Sequence, residues 1–196
     1  MLIPIPVVLL DAYFETVPCN CVLLNNVQGA YLAARHLIRT CKTQPGYLHS
    51  AYPISNFAER SSGFYKAVRA AGMSSSRSIV HKLTPSMEGA YADMMELIKN
   101  GEELAPCYFA DNDLIAVGAI KALKESGYRI PQDIGIVGFD NLPLGSVIEP
   151  ALTTIHVPKQ YMGEAAAQKL IDLLHTPGQP PTKTEVSTML VKRGTV

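Results

Sequence analysis

Between Gly46 and Gly138, short apolar runs alternate with amphipathic helical patterns at a steady interval, and few folds accommodate that rhythm. Strands are expected at Gly46–Ser50, Ile79–Lys82, Pro106–Phe109 and Ile134–Gly138, separated by helices at Glu59–Ala71, Met87–Lys99 and Leu114–Glu125. Strand–helix units of about 30 residues require right-handed crossovers, a parallel sheet and helices on both of its faces. The reading is a doubly wound α/β fold. Gly72 and Gly127 follow the last periodic residues of two helices, Asp113 stands where it would cap a third, and Pro131 precedes a strand. Upstream, Pro6–Leu10 and Cys21–Leu24 read as strands and Val27–Ile38 as a helix. After Asp140 the rhythm gives way to a loop, a short strand at Leu152–Ile155, a helix at Lys159–His175 and a Pro/Gly segment, Thr176–Pro181. A final strand is expected at Thr184–Leu190.

With 47% hydrophobic and 17% charged residues, a chain of 196 residues can bury a sizeable core. Lys+Arg and Asp+Glu both number 17, and no basic block could track a phosphate backbone, so this chain itself is not expected to grip nucleic acid. The opening run Met1–Leu10 is apolar but broken by Pro4 and Pro6 and has no basic leader, unlike a signal peptide. No apolar run approaches the ~20 residues of a membrane span. A cytoplasmic protein without a membrane partner is expected. Four cysteines fall at 19, 21, 41 and 107. Cys19 and Cys21 would share one face of a strand, but no second pair completes a zinc site, so all four read as reduced, small apolar side chains. The histidines at 36, 49, 81, 156 and 175 share no spacing, and neither a metal nor a cofactor is expected.

In an open α/β sheet, ligands bind beyond the carboxyl ends of the strands, where strand order reverses. The polar residues expected at those ends are Asn25, Asn26 and Gln28; Asn56 and Arg60; Asp111, Asn112 and Asp113; and Asp140 with Asn141. An arginine fork, an asparagine amide and a carboxylate from separate strand ends suit a neutral polyhydroxylated ligand, because each can hold two neighbouring hydroxyls. Taken singly, each has an ordinary structural role: Asp113 as a helix cap, Arg60 as a solvated side chain in a first helical turn, Asp140-Asn141 as a turn. Gly-x-Ser-x-Gly, a phosphate loop, His-Glu-x-x-His and a dinucleotide glycine fingerprint are all missing, and the glycines of Ile134–Gly138 lie within a strand.

Several stretches, in unbroken order, resemble the lactose-repressor (LacI/GalR) family of transcriptional regulators. They are Ile5-Pro-Val-Val-Leu-Leu-Asp11, Asn25-Asn-Val-Gln-Gly-Ala30 with Arg35-His-Leu37, Glu59-Arg60 with Gly63-Phe64, and Phe109-Ala-Asp-Asn-Asp113 with Ala116 and Gly118. The fullest is the run from Gly127 through Arg129-Ile-Pro-Gln-Asp133 to Gly138-Phe-Asp-Asn141, followed by Pro150-Ala-Leu-Thr-Thr-Ile155. The resemblance implies a periplasmic-binding-protein-like fold of type 1, with doubly wound parallel sheets in two subdomains joined by three crossings and a small effector between them. It implies a partial, truncated N-terminal subdomain at 1–43, a C-terminal effector-binding subdomain at 44–154, a return to the N-terminal one at 155–181, and a last strand of the C-terminal one at 182–196. By position Arg60, Asn112 and Asp140 resemble the family's effector-holding residues, joined by Asn56 and Gln28.

The resemblance further implies a homodimer formed through the helix from Asp113 and the loop from Asn141 to Pro150, and operator DNA bound only through an N-terminal module absent from this chain. Departures bear on the ligand: Asn25 stands where Asp is usual, Cys41-Lys42 replaces a common Gly-His, and Val157 replaces a Gln. No aromatic platform is found around Leu83-Thr84, and the chain has no Trp. The expected function is that of a non-enzymatic effector-sensing domain, with a sugar as the first choice of effector. A periplasmic-type sugar-binding protein of a transporter shares the fold and is the alternative. A glycoside hydrolase would need two carboxylates flanking a bond, for which Asp111 or Asp113 with Asp140 are the candidates.

Overall fold

The computed structural model describes residues 5–196, so the reading of the opening run Met1–Leu10 lies in part outside the described residues. In chain order the elements are β1 (Val8–Leu10), β2 (Asn20–Leu24), α1 (Asn26–Cys41), β3 (Gly46–Ser50), α2 (Ser55–Ala70), β4 (Val80–Leu83), α3 (Met87–Lys99), β5 (Cys107–Ala110) and α4 (Asp113–Glu125). They continue with β6 (Gly135–Asp140), a one-turn α5 (Leu144–Val147), β7 (Thr153–His156), α6 (Lys159–His175), β8 (Lys183–Val186) and β9 (Met189–Val191). Among the described residues no helix is long and apolar enough to cross a membrane.

Two compact units result. One comprises the chain up to Asn25 together with Pro158–Thr188, and the other Asn26–Val157 with Met189–Val196. In the first, β1, β2 and β8 form a parallel sheet in that order, and α6 packs on β1 and β2. The second carries a six-stranded sheet in the order β4-β3-β5-β6-β7-β9, parallel but for β9. Helices α1 and α2 pair on one of its faces and α3 and α4 on the other. With both faces covered, β5 and β6 read as nearly continuous apolar runs, and β3 is buried at all but His49. Alternation then sends Leu48, Tyr108, Ala110 and Ile136 towards α3 and α4, and Tyr47 and Phe109 towards Phe64 of α2.

From β3 the chain steps outward to β4 and returns past β3 to β5, so the strand order reverses between β3 and β5. The carboxyl ends of these two strands, at Ser50 and Ala110, frame the crevice where such a sheet takes a ligand.

The domain boundaries differ from those expected. α1 belongs to the second unit rather than to a segment 1–43, because Ala30, Ala33, Ala34 and Leu37 bury a face of mostly small side chains against α2 and the large sheet. Pairing likewise splits the expected last strand: β8 extends the sheet of β1 and β2, while β9 joins β7 antiparallel. Helix α2 starts four residues before the expected Glu59. Its buried stripe is Phe57, Arg60, Gly63, Phe64, Ala67 and Val68, and the guanidinium within it masks the apolar period at that end.

Close approach of α1 and α2 depends on Gly63, where a Cβ would lie 2.2 Å from the Val27 carbonyl oxygen. Gly63→Ala should therefore lower stability by about 1–3 kcal/mol, seen as a reduced urea midpoint. Gly163→Ala, in α6 with open space around the position, should instead raise stability by up to about 1 kcal/mol through helix propensity alone.

Candidate functional site

Arg60 is the centre of the polar cluster at the carboxyl ends of the strands. Although only 5% exposed, it has a partner for every guanidinium nitrogen. Nε donates to Asn26 Oδ1 at 2.9 Å, Nη1 donates to the Asp111 backbone carbonyl, and Nη2 lies 3.6 Å from Asp140 Oδ1. The guanidinium stacks over Phe139, 3.8 Å from the ring centroid, with Phe57 at 5.4 Å. Asn26 is fixed in turn, its Nδ2 donating to Glu59 at 2.9 Å. Helices α1 and α2 and strands β5 and β6 therefore meet at one side chain.

Asp111, immediately after β5, is fully buried. Tyr47 donates its hydroxyl to Oδ1, while the Ser50 backbone N–H donates to Oδ2 at 2.7 Å and His49 Nδ1 lies 2.6 Å from the same oxygen. This carboxyl ties β3 to β5 where strand order reverses, and no oxygen is left for a ligand. Asp113 is also fully buried and is not the cap of α4. Asn112 is that cap, accepting from Ile115 N–H at 2.8 Å, so Nδ2 remains as its group for a ligand. Asp113 instead accepts from Thr154 Oγ1 at 2.6 Å and from Leu142 N–H at 2.7 Å. It reaches them because Gly138 has no Cβ, which would sit 2.3 Å from Asp113 Oδ1.

Asp140 ends β6 with φ 107° and Asn141 follows with φ 50°, a backbone region that costs on the order of 1–3 kcal/mol for side chains of this kind. The surroundings hold it there. Arg193 donates to Asn141 Oδ1 at 2.7 Å and to the Leu152 carbonyl at 2.8 Å, and Asn141 Nδ2 lies 3.1 Å from His156 Nδ1. Asp140 itself keeps a quarter of its side chain exposed beside Arg60, so of the three aspartates here, Asp111, Asp113 and Asp140, it is the one accessible to a ligand.

Of the residues expected in the site, Arg60 and Asp140 are in direct contact. Asn112 follows Asp111 in the chain, Asn56 is one helical turn before Arg60, and Gln28 is in the first turn of α1 beside Asn26. Arg60 is in the second turn of α2 and buried, not solvated in a first turn. Sequence reasoning passed over Tyr47, His49, Phe139 and Arg193, whose apolar or distant settings carry no local polar signal. It also passed over Tyr52, 56% exposed just after β3, whose backbone N–H donates to Ser50 Oγ. Among the described residues no three His, Cys, Asp or Glu side chains cluster in a way that could hold a metal ion.

A reversed-order parallel sheet with a polar cluster at its carboxyl edge is the architecture of periplasmic-binding-protein-like domains, and the family model of that description matches residues 34–196. The chain belongs to this family, and the relatives it matches are LacI-type transcriptional regulators. It is 36% identical over 149 residues to the HTH-type transcriptional regulator GalS of Salmonella typhimurium, covering 76% of this chain and 44% of that protein. It is 33% identical over 177 residues to the HTH-type transcriptional repressor PurR of Klebsiella pneumoniae, covering 90% of this chain and 52% of that one. This chain thus spans about half the length of these curated relatives. Among solved structures, a LacI family transcriptional regulator from Enterococcus faecium with bound ribose superposes with a TM-score of 0.87 at 29% identity, covering 97% of this chain and 70% of that one.

Burial pushes the Asp113 carboxyl up to about 6, against the lowering effect of its bonds to Thr154 and Leu142. The folded state therefore keeps a proton that the unfolded chain releases near 3.8. The resulting stabilisation is fully present below about pH 4 and is lost as pH rises to about 6. Its size is on the order of 2–3 kcal/mol. Asp113→Asn, neutral throughout, should flatten this part of the stability profile in urea titrations run at a series of pH values.

Proposed function

We propose that this chain is the effector-sensing part of a LacI-type DNA-binding transcriptional regulator. It would take a small, neutral, polyhydroxylated molecule of the sugar class at the carboxyl edge of its six-stranded sheet. The observation that carries this reading is the accessible Asp140 carboxylate, fixed in place by a buried arginine whose own nitrogens are already engaged. An arginine so occupied offers little to an anionic ligand, whereas the carboxylate can accept from two adjacent hydroxyls. Asn112 Nδ2, Asn56 and Gln28 supply further polar contacts, and Tyr52 offers an aromatic face for the apolar side of a sugar ring. Ribose in the related Enterococcus faecium protein supports the same ligand class.

The naming of the relatives as transcriptional regulators favours this function over that of a transporter's binding protein, and with it a cytoplasmic location beside operator DNA. Asp111 and Asp113, the carboxyls the sequence offers as partners for Asp140, are both fully buried, so we infer that neither forms a glycoside hydrolase's carboxylate pair with it. Effector control requires different effector affinities in the two states of the full regulator.

Homodimerisation is proposed through residues 141–150, where Val147 is 79% exposed, more than through α4, whose apolar residues are almost all buried within the unit. Val147→Glu should lower the average mass in sedimentation velocity; an unchanged mass removes this loop from the interface.

The direct test is a thermal-shift titration of the chain with ribose and other neutral monosaccharides, since binding to the folded state raises the melting temperature by mass action. A stabilising sugar should lose about 2–5 kcal/mol of affinity in Asp140→Ala, with the fold intact. Equal affinity in the variant removes Asp140 from the site. Arg60→Ala is a poor probe by comparison: deleting it removes the Nε donor to Asn26 Oδ1 and the Nη1 donor to the buried Asp111 carbonyl, so it costs stability as well as binding.

A further inference from the structure

All four cysteines are free, but two of them meet at the edge of the large sheet opposite the proposed ligand site. Cys41 is the last residue of α1 and Cys107 the first of β5. The Cys41 sulfur and the Cys107 Cβ lie 3.4 and 3.5 Å from the point that a side chain at Gly135 would occupy, so the two side chains are neighbours there. A cavity of about 310 Å³ opens beside them, with Thr40, Cys41, Pro106 and Gln132 in its wall. Cys107 is fully buried, whereas Cys41 is half-buried and faces this cavity, so a small reagent entering it meets Cys41 first. The neighbouring Cys107 thiol draws the Cys41 thiol down to about 7, while the same contact and burial push Cys107 up. Access from the cavity thus makes Cys41 the attacking sulfur, and full burial leaves Cys107 to react second.

We propose that Cys41 and Cys107 form a peroxide-sensitive thiol pair, with Cys41 as the attacking sulfur and Cys107 as the resolving one. In the first step the Cys41 thiolate attacks hydrogen peroxide. A sulfur–oxygen bond forms, the oxygen–oxygen bond breaks, and a sulfenic acid and hydroxide result. In the second, the Cys107 sulfur attacks the sulfenic sulfur. A sulfur–sulfur bond forms, the sulfur–oxygen bond breaks, and the departing hydroxyl leaves as water, with the Cys107 proton neutralising the hydroxide. The net change oxidises two thiols to one disulfide and reduces one peroxide to two waters.

The location gives this chemistry a route to the other edge of the sheet. Running back along α1 from Cys41 leads to Asn26, and running forward along β5 from Cys107 leads to Asp111. Both residues hold Arg60. A bond between the far ends of α1 and β5 therefore fixes the relative position of the two elements that grip the arginine.

The test treats the whole chain with hydrogen peroxide, caps remaining thiols with N-ethylmaleimide and maps peptides by mass spectrometry. The expected product is one linked Cys41–Cys107 peptide pair, lighter by two hydrogen atoms and reversed by dithiothreitol. Cys41 should be consumed at least about tenfold faster than Cys19, in keeping with its thiolate character. In Cys107→Ala, the Cys41 sulfenic acid should persist and be trapped by dimedone. The proposal is overturned if Cys41 reacts no faster than Cys19, or if the disulfide formed joins Cys19 to Cys21. Because the mapping is done on the unmodified sequence, it stands even if a variant fails to fold.

Discussion

A guanidinium kept from water is costly unless its hydrogen-bond donors are met, and the second unit of this protein is organised around meeting those of Arg60. Its partners arrive from a helix start, a backbone carbonyl beyond one strand and the carboxylate that ends the next. Phe139 supplies an aromatic face beneath it. None of these groups could be displaced without stranding another. The cluster thus fixes the geometry of Asp140, the form of preorganisation that would lower the entropic cost of binding at the proposed site.

Around that arginine the buried carboxyl groups divide the labour. Asp111 cross-links β3 and β5, while Asp113 anchors the backbone after β6 and the start of β7. Both look like ligand residues in a list of polar side chains at strand ends, yet both are structural. The partly exposed aspartate of the three, Asp140, is the one on strained backbone, and Arg193, Asn141 and His156 maintain that strain. Rigidity is concentrated beneath the site and chemical accessibility at its surface.

Much of the fold was legible in the sequence because the central strands of the large sheet are buried on both faces and its helices carry regular stripes. β3, α3 and α6 have the bounds that the pattern gives them, and the order of elements from β3 to β7 follows from the alternation. Long-range pairing was not legible. The residues 184–190 read as one strand, but their hydrogen bonds go to two different sheets, a fact that depends on β2 and β7 rather than on the segment itself. The start of α2 was hidden for a related reason: Arg60 occupies a core position that an apolar period cannot register. In the candidate site, Arg60 and Asp140 stood out as charged residues at strand ends. Their supports did not, since Tyr47 and Phe139 look like ordinary core residues and Arg193 is more than fifty residues from its partner Asn141.

The absence of a side chain at Gly138 has a consequence for how the sequence can change. The carboxyl of Asp113 occupies the volume a methyl group would fill, and from there it reaches Thr154 and the Leu142 amide. Residues 113, 138 and 154 are therefore tied together by space as well as by hydrogen bonds. A library that randomised one of them alone would return mostly failures, whereas joint variation could exchange the carboxyl and the empty volume for an apolar pair. The backbone that carries the neighbouring Asp140 could then change only along paths in which these three positions move as a set.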